Sequence, residues 1–382
     1  MRRYKLEEVA EIYSGATPLT KEKRYYEGGT ISWITPKDLS NYNHKYIYKG
    51  QRSITGEGFQ SCATYKLPKG TVLFSSRAPI GYVAVAGKEL CTNQGFKSFV
   101  CNEELLYNHY LYYYLVSNRK KFEALGNGST FKEISRKTLG KYEIELPNIE
   151  EQKQIVDELV KLDEKYEYNC DVLINLYALL ELLYIRYFEN ENVSYECKKL
   201  ENIVKLVTGG TPSTKNENYW NNGVYDWYTP SDVTSCNSVL SFSARKQISV
   251  LGLANSGAKL IPKNSVIMTS RATIGECVIN KNEATTNQGI LSLIPDGDNI
   301  SAAQLYFWIK RHKMLIESIS NGSTFKEVYK KDMEKLDILI NKEVLYEFMK
   351  NANPILEYYD SILRENNLIE ELKSKIMQAL FM

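Results

Sequence analysis

The residues that would carry catalysis are absent from this chain in the spacings catalysis needs. An amino-methyltransferase holds its target amine in an Asn/Asp-Pro-Pro-aromatic loop, and there is no Pro-Pro pair here; Asn353-Pro354-Ile355 does not qualify. A P-loop requires Gly, four residues and then Gly-Lys-Ser/Thr, so that backbone N–H groups wrap a phosphate. The nearest approach, Gly81 to Gly87-Lys88-Glu89, has five intervening residues and a glutamate where the hydroxyl belongs. The cysteines (Cys62, Cys91, Cys101, Cys170, Cys197, Cys236, Cys277) never form Cys-x-x-Cys, and His44, His109 and His312 lack metal-ligand spacing. Neither a disulfide framework nor a metal site is indicated.

Groups suited to nucleic acid are present, and they occur twice. Each half of the chain has a glycine-led Thr-Pro turn (Gly15-Ala16-Thr17-Pro18; Gly209-Gly210-Thr211-Pro212), a Trp-x-Thr-Pro-x-Asp segment (Lys37; Ser231), a Ser-Arg pair (Ser76-Arg77; Ser270-Arg271), a Thr-Asn-Gln-Gly segment and a Gly-Ser-Thr-Phe-Lys loop (Ser129, Thr130, Lys132; Ser323, Thr324, Lys326). Hydroxyls, backbone N–H groups and Lys position phosphates, whereas Arg, Asn and Gln pair with guanine or adenine edges. If the halves read different sequences, shared residues serve the fold or the DNA backbone, and the base readers lie where the halves differ. Those regions are 40–60 and 234–254, where Asn41, Asn43, Lys45, Lys49 and Arg52 face Ser235, Asn237, Arg245, Lys246 and Gln247. Arg77 and Arg271 are open between DNA contact and ion pairs with Asp38 and Asp232. Asn93/Gln94 and Asn287/Gln288 are open between DNA contact and bonds to loop backbone.

The elements that hold these groups are two copies of one module. Lys5-Leu6-Glu7 recurs as Lys199-Leu200-Glu201, an offset of 194, and Trp33, Thr35, Pro36 and Asp38 recur as Trp227, Thr229, Pro230 and Asp232. Residues 67–100 against 261–294 give 14 identities in 34 positions, and Asn127 to Glu133 reappears intact as Asn321 to Glu327, far beyond a chance motif. Within each copy Val72–Phe74, Tyr82–Ala86, Val266–Met268 and Cys277–Ile279 read as strands. Asn102 reads as the cap of a helix running to about Ser117, and Ser301 as the cap of its counterpart through Leu305, Phe307 and Ile309. A last strand (142–146; 336–340) leads out of each copy.

A long predicted helix follows each module. In the first the seam is Ile155, Leu159, Leu162, Tyr166, Asn169, Leu173, Leu176, Leu180, Leu183 and Tyr187, a heptad spacing, with Asn148 and Glu151 as its capping pair. The second runs through Phe348, Ala352, Ile355, Tyr359, Ile362, Asn366, Ile369, Lys373, Ile376 and Leu380, with Pro354 expected to kink or restart it. By simple repeat alignment Asn366 does not sit opposite Asn169. Each helix needs a partner to cover its stripe, and the other is the only comparable stretch. The expected fold class is α+β: two similar recognition domains of mixed sheet and helix, 1–147 and 197–341, joined by helices 148–196 and 342–382 in an antiparallel coiled coil with pseudo-twofold symmetry.

Composition agrees with that division. A chain with 43% hydrophobic and 25% charged residues is an ordinary globular one. Its net charge of +2 divides into +8, −8, +4 and −2 over the four segments, so the modules are basic and the helices acidic. Basic modules suit a polyanion and acidic spacers avoid it. With no run of ~18 uninterrupted apolar residues and no leader pattern, the chain reads as cytoplasmic, with no membrane partner.

These residues resemble the specificity subunits of type I restriction-modification enzymes. The resemblance covers essentially the whole chain. It rests on the order module, helix, module, helix; on Leu67 to Gly81 and Ile261 to Gly275; on the Asn-Gln-Gly and Gly-Ser-Thr elements; and on Leu146-Pro147 running into Glu150-Glu151-Gln152. It implies a non-catalytic chain whose two target recognition domains each read half of a bipartite double-stranded DNA sequence. It also implies that the coiled coil fixes the spacer and docks two methyltransferase subunits, joined by restriction/translocase subunits. S-adenosylmethionine, ATP and magnesium would belong to those partners and no cofactor to this chain. One departure is the second helix, which lacks the Glu-Glu-Gln opening and carries Pro354. The rivals are a two-headed scaffold for non-DNA ligands and a self-contained methyltransferase, the latter disfavoured by the missing amine-binding loop.

Overall fold

Alternation of short apolar strands with Gly/Pro turns gives each module one mixed, mostly antiparallel five-stranded sheet and a small three-stranded lobe. The computed structural model describes residues 1–40, 42, 44–77, 79–127, 132–322 and 326–381. In the first module the large sheet has the order Ala10–Ser14, Phe96–Cys101, Val72–Ser76, Ile80–Ala86 and Tyr46–Ile47, antiparallel except for its last pair. The lobe is Arg52–Ile54, Ile31–Ile34 and Cys91–Thr92, and Arg2–Lys5 pairs with Glu143–Leu146. The second module repeats all three sheets in the same order: Val204–Thr208, Ile290–Pro295, Val266–Thr269, Cys277–Asn280 and Leu240–Ser241; then Gln247–Ile248, Tyr225–Tyr228 and Ala284–Thr286; then Glu196–Lys199 with Asp337–Ile340. The offset of 194 thus holds for topology as well as sequence. Gly81 and Gly275 sit at φ +95° and +83°, which explains the repeated Ile-Gly, since side chains beyond hydrogen are strained there.

Module helices cover one face of each large sheet. Ser301 caps Ala302–Arg311 by accepting from the Gln304 N–H, as its position predicts. The first copy differs from expectation: its helix is Asn108–Ser117, because the Asn102 side chain bonds the Glu104 N–H in a turn and ends there.

Two 40-residue helices, Ile149–Phe188 and Lys342–Phe381, follow the modules. Asn148 and Glu151 exchange side-chain to backbone bonds of 2.9 and 3.3 Å at the start of the first. Asn341 does the capping for the second, accepting from the N–H groups of Glu343 and Val344. The second helix is unbroken through Pro354, correcting the expected restart.

Compactness divides the chain into two units, Met1–Asp171 with Arg364–Met382, and Val172–Leu363. Each therefore holds one module and one half of each long helix. In the first unit Val156, Leu159, Ile376, Met377 and Phe381 join the core made by Leu6, Phe74, Phe99 and Tyr113. In the second unit Leu180, Tyr184, Phe188, Phe348, Ala352 and Tyr359 join Leu206, Met268 and Phe307. Fully burying one such side chain contributes about 1.5–3 kcal/mol. The helices run antiparallel in both units, Asn169 meeting Asn366 in one and Phe188 meeting Phe348 in the other.

The seam residues Leu159, Asn169, Leu180, Tyr359, Ile362, Asn366 and Ile369 are buried. Ile155, Leu162, Tyr166, Leu173, Leu176, Leu183, Tyr187, Ile355, Lys373 and Ile376 are half-buried. Leu380 is exposed, a correction, because Met377 and Phe381 turn to the module core instead. The Asn169 amide donates 2.8 Å to the Asn366 carbonyl oxygen. This also corrects the repeat alignment: antiparallel partners are set by opposed chain directions and not by the 194-residue offset.

Candidate nucleic-acid interface

Four of the repeated motifs meet in one hydrogen-bonded strip on each module. In the first, Gly15 lies so close to the Thr92 carbonyl that a Cβ would come within 2.1 Å, so the Gly15 to Pro18 turn seats directly on Thr-Asn-Gln-Gly. The Thr17 hydroxyl donates to Gln94 Oε1, and Asn93 Oδ1 accepts from the Gly95 N–H at 2.9 Å. Gly95 O accepts from the Ser76 N–H at 2.8 Å, and Ser76 O from the Ile134 N–H at 3.0 Å. Arg77 then pairs with Glu133 at 3.5 Å, closing the Ser-Arg turn against the Lys-Glu end of the next loop.

The second module repeats every link. Thr211 donates to Gln288, Gly289 O accepts from the Ser270 N–H at 2.9 Å, Ser270 O from the Val328 N–H at 3.0 Å, and Arg271 pairs with Glu327 at 2.8 Å. Arg77 and Arg271 are therefore held by glutamates. The expected partners are engaged elsewhere: Asp38 and Asp232 close capping boxes on Thr35 and Thr229. Hydrogen bonds from Thr229 and Arg245 outweigh partial burial and hold the Asp232 carboxyl below its ordinary range.

The remaining candidates divide by exposure. Ser76 and Ser270 are buried, the Ser76 hydroxyl donating to Gly95 O at 3.2 Å, and are withdrawn as DNA contacts. Lys45 is withdrawn as well: its ammonium lies inside, 3.2 Å from Asp163 and 3.0 Å from the Tyr113 hydroxyl. Burial lowers its pKa to about 8, with Asp163 opposing the shift. Arg245 faces solvent but its donors go to Asp232 Oδ1, Ser231 O and Ser235 Oγ, so it clamps its own loop. Lys37, Lys49, Arg52, Lys132, Ser231, Asn237, Lys246, Gln247 and Lys326 are exposed. Asn41, Asn43, Ser129, Thr130, Ser323 and Thr324 lie outside the described residues. Sequence reasoning missed Tyr26 and Trp220, over whose rings Arg52 and Lys246 lie; the offset of 194 links them and was the available signal.

Exposed cations on a strip of hydroxyls, amides and backbone N–H groups are what DNA contact requires, with phosphates fixing register and base edges giving identity. Among the described residues no cluster of His, Cys, Asp and Glu is placed to hold a metal ion.

Comparison with known proteins points the same way. A family model described as the type I restriction modification DNA specificity domain matches residues 1–174 and again 192–374. The chain is 39% identical over 202 residues to the type I restriction enzyme MjaIX specificity subunit of Methanocaldococcus jannaschii, covering 52% of this chain and 45% of that one. It is 28% identical over 190 residues to the type I restriction enzyme HindI specificity subunit of Haemophilus influenzae, covering 49% and 40%. The matched stretches span less than half the length of these curated relatives. The crystal structure of a type I restriction-modification system S subunit from M. genitalium superposes with a TM-score of 0.63 at 15% identity, covering 100% of this chain and 96% of that one, so the two share a fold.

Proposed function

Since the chain belongs to the type I restriction modification DNA specificity family, we propose that it is the DNA-recognition subunit of such a system. Each module reads one half of a bipartite target, and the antiparallel helices set the spacer between the halves and dock methyltransferase subunits. The observation that carries this reading is the strip built twice from the same motifs. A framework identical in both copies, with different exposed side chains set beside it, is what two different half-sites need.

The long helices support the docking role. Only 17% of the apolar window of the first helix is buried against the rest of the chain. Tyr168, Ile174, Leu179 and Leu182 are exposed along it, which suits a protein partner. Restriction/translocase subunits complete the assembly, and S-adenosylmethionine, ATP and magnesium are held by those partners. The chain itself is non-catalytic and works in the cytoplasm, where the DNA is.

The test is single-molecule methylome sequencing of a methylation-free host that expresses this chain with its neighbouring methyltransferase gene, against the methyltransferase alone. A split motif seen only with both chains is expected. No new methylation from two soluble proteins would remove the specificity role.

A further inference from the structure

The three-stranded lobe of each module carries a stacked array whose inner members are shared and whose outer members differ. In the first module the Trp33 indole donates 3.0 Å to the Ala16 carbonyl in the Gly15 to Pro18 turn. Tyr26 meets Trp33 edge-on at 6.1 Å and donates its hydroxyl to Pro18 O at 2.7 Å. The Arg52 guanidinium lies over the Tyr26 ring, 4.2 Å from its centroid. In the second module Trp227 donates to Gly210 O at 2.9 Å and Trp220 meets it edge-on at 4.9 Å. Trp220 donates to Ser213 O, and the Lys246 ammonium lies 5.7 Å from its ring centroid.

The array is rooted in the strip at both ends. Asp38 accepts from the N–H of Gln51 and Asp232 from that of Arg245, so residues 52 and 246 each follow directly on a clamped residue. Among the described residues, no hydrogen bond or ion pair occupies the guanidinium of Arg52 or the ammonium of Lys246. A cation on an aromatic face is held in place while its N–H donors stay free. The inner tryptophan and its carbonyl are identical in both modules, whereas the outer pair is Arg on Tyr in one and Lys on Trp in the other. That is the distribution expected of a reader on a common mount.

We infer that Arg52 on Tyr26 is a base-reading element for one half-site, donating to the O6/N7 edge of a guanine, and that Lys246 on Trp220 is its counterpart for the other. The inference rests on the DNA-recognition reading. Arg is the stronger discriminator of the two, because its planar fork satisfies both guanine acceptors at once.

The methylome of cells expressing Arg52→Ala, Arg52→Lys or Lys246→Ala with the neighbouring methyltransferase gene tests it. For Arg52→Ala, methylation is expected to spread to sites altered at a single G·C position of one half, the preference for the correct pair falling about 10- to 100-fold, while the other half stays intact. Arg52→Lys should fall between, and Lys246→Ala should relax one position of the opposite half. An unchanged motif overturns the inference, and so does an equal loss at all sites by variants that melt like the parent, the mark of a phosphate contact. Arg52→Lys keeps the charge and stem, so it remains readable if the alanine variant does not fold. A parent that yields no split motif removes the underlying reading itself, an outcome distinct from either.

Discussion

Lys45 and Val239 hold equivalent places, 194 residues apart, and the difference decides how each module meets its helices. Lys45 brings a charge inside, where Asp163 bridges it to Lys373, 2.7 Å from the second Asp163 oxygen. At Val239 the joint needs only a backbone N–H, which donates 3.4 Å to the Tyr359 hydroxyl. Removing the Asp163 charge would leave the buried Lys45 ammonium uncompensated and Lys373 with Glu370 alone, so Asp163→Asn is expected to destabilise the first unit by about 3–5 kcal/mol, measured by urea unfolding. The neighbouring His44 gives a pH signature. Its bond to Glu167, at 2.8 Å, outweighs half-burial and raises its pKa above the ordinary 6.5. The fold then holds the proton more tightly than the unfolded chain does. Stability from the pair is therefore complete below about pH 6.5 and lost as pH rises through the raised value. His44→Gln should accordingly cost more near pH 6 than near pH 8.5, by a few tenths to about 1 kcal/mol because the pair is part-exposed. Melts showing the same cost at both pH values would rule this out.

The long helices combine two faces, one toward each other and one toward a module, and their polar residues mark where those faces cross. Asn169 donates to both Asn366 and Glu365 at 2.8 Å, and Lys165 reaches Glu365 at 3.2 Å. A polar pair inside an apolar seam fixes register at a cost in stability. Asn169→Leu together with Asn366→Leu should raise the urea midpoint while allowing shifted or self-associated species, visible by analytical ultracentrifugation. Asn366→Leu alone should lower the unfolding free energy by about 1 kcal/mol, because the Asn169 amide loses one acceptor. A double variant that stays a single species with unchanged stability would show that the pair has no register role.

For the molecule as a whole, the compact units set the rule for exchanging specificities. Each unit closes its core with residues from both long helices, so a module is not sealed at residue 147. Replacing residues 1–147 with a module of another specificity should change one half-site in the methylome and leave the other intact. The exchange is expected to succeed when the incoming module supplies counterparts of Lys45 and Tyr113 for Asp163, and to unfold the first unit when it does not. A change in both half-sites would contradict independent reading.

The duplication, the α+β modules, the two helices and their antiparallel partnership were all legible in the chain, because repeats and heptad spacing are local patterns that survive in one dimension. The cap at Asn148 and the strands read at Val72–Phe74 and Val266–Met268 followed for the same reason. What the chain alone left open was decided by long-range contacts. Lys45 resembled any other exposed lysine until Asp163 was brought against it, Arg77 met Glu133 and not Asp38, and Asn366 found Asn169. The aromatic mounts of Arg52 and Lys246 also appeared only in three dimensions. Composition and spacing fix which groups are available, and packing alone determines which are spent inside the fold and which stay free at the surface.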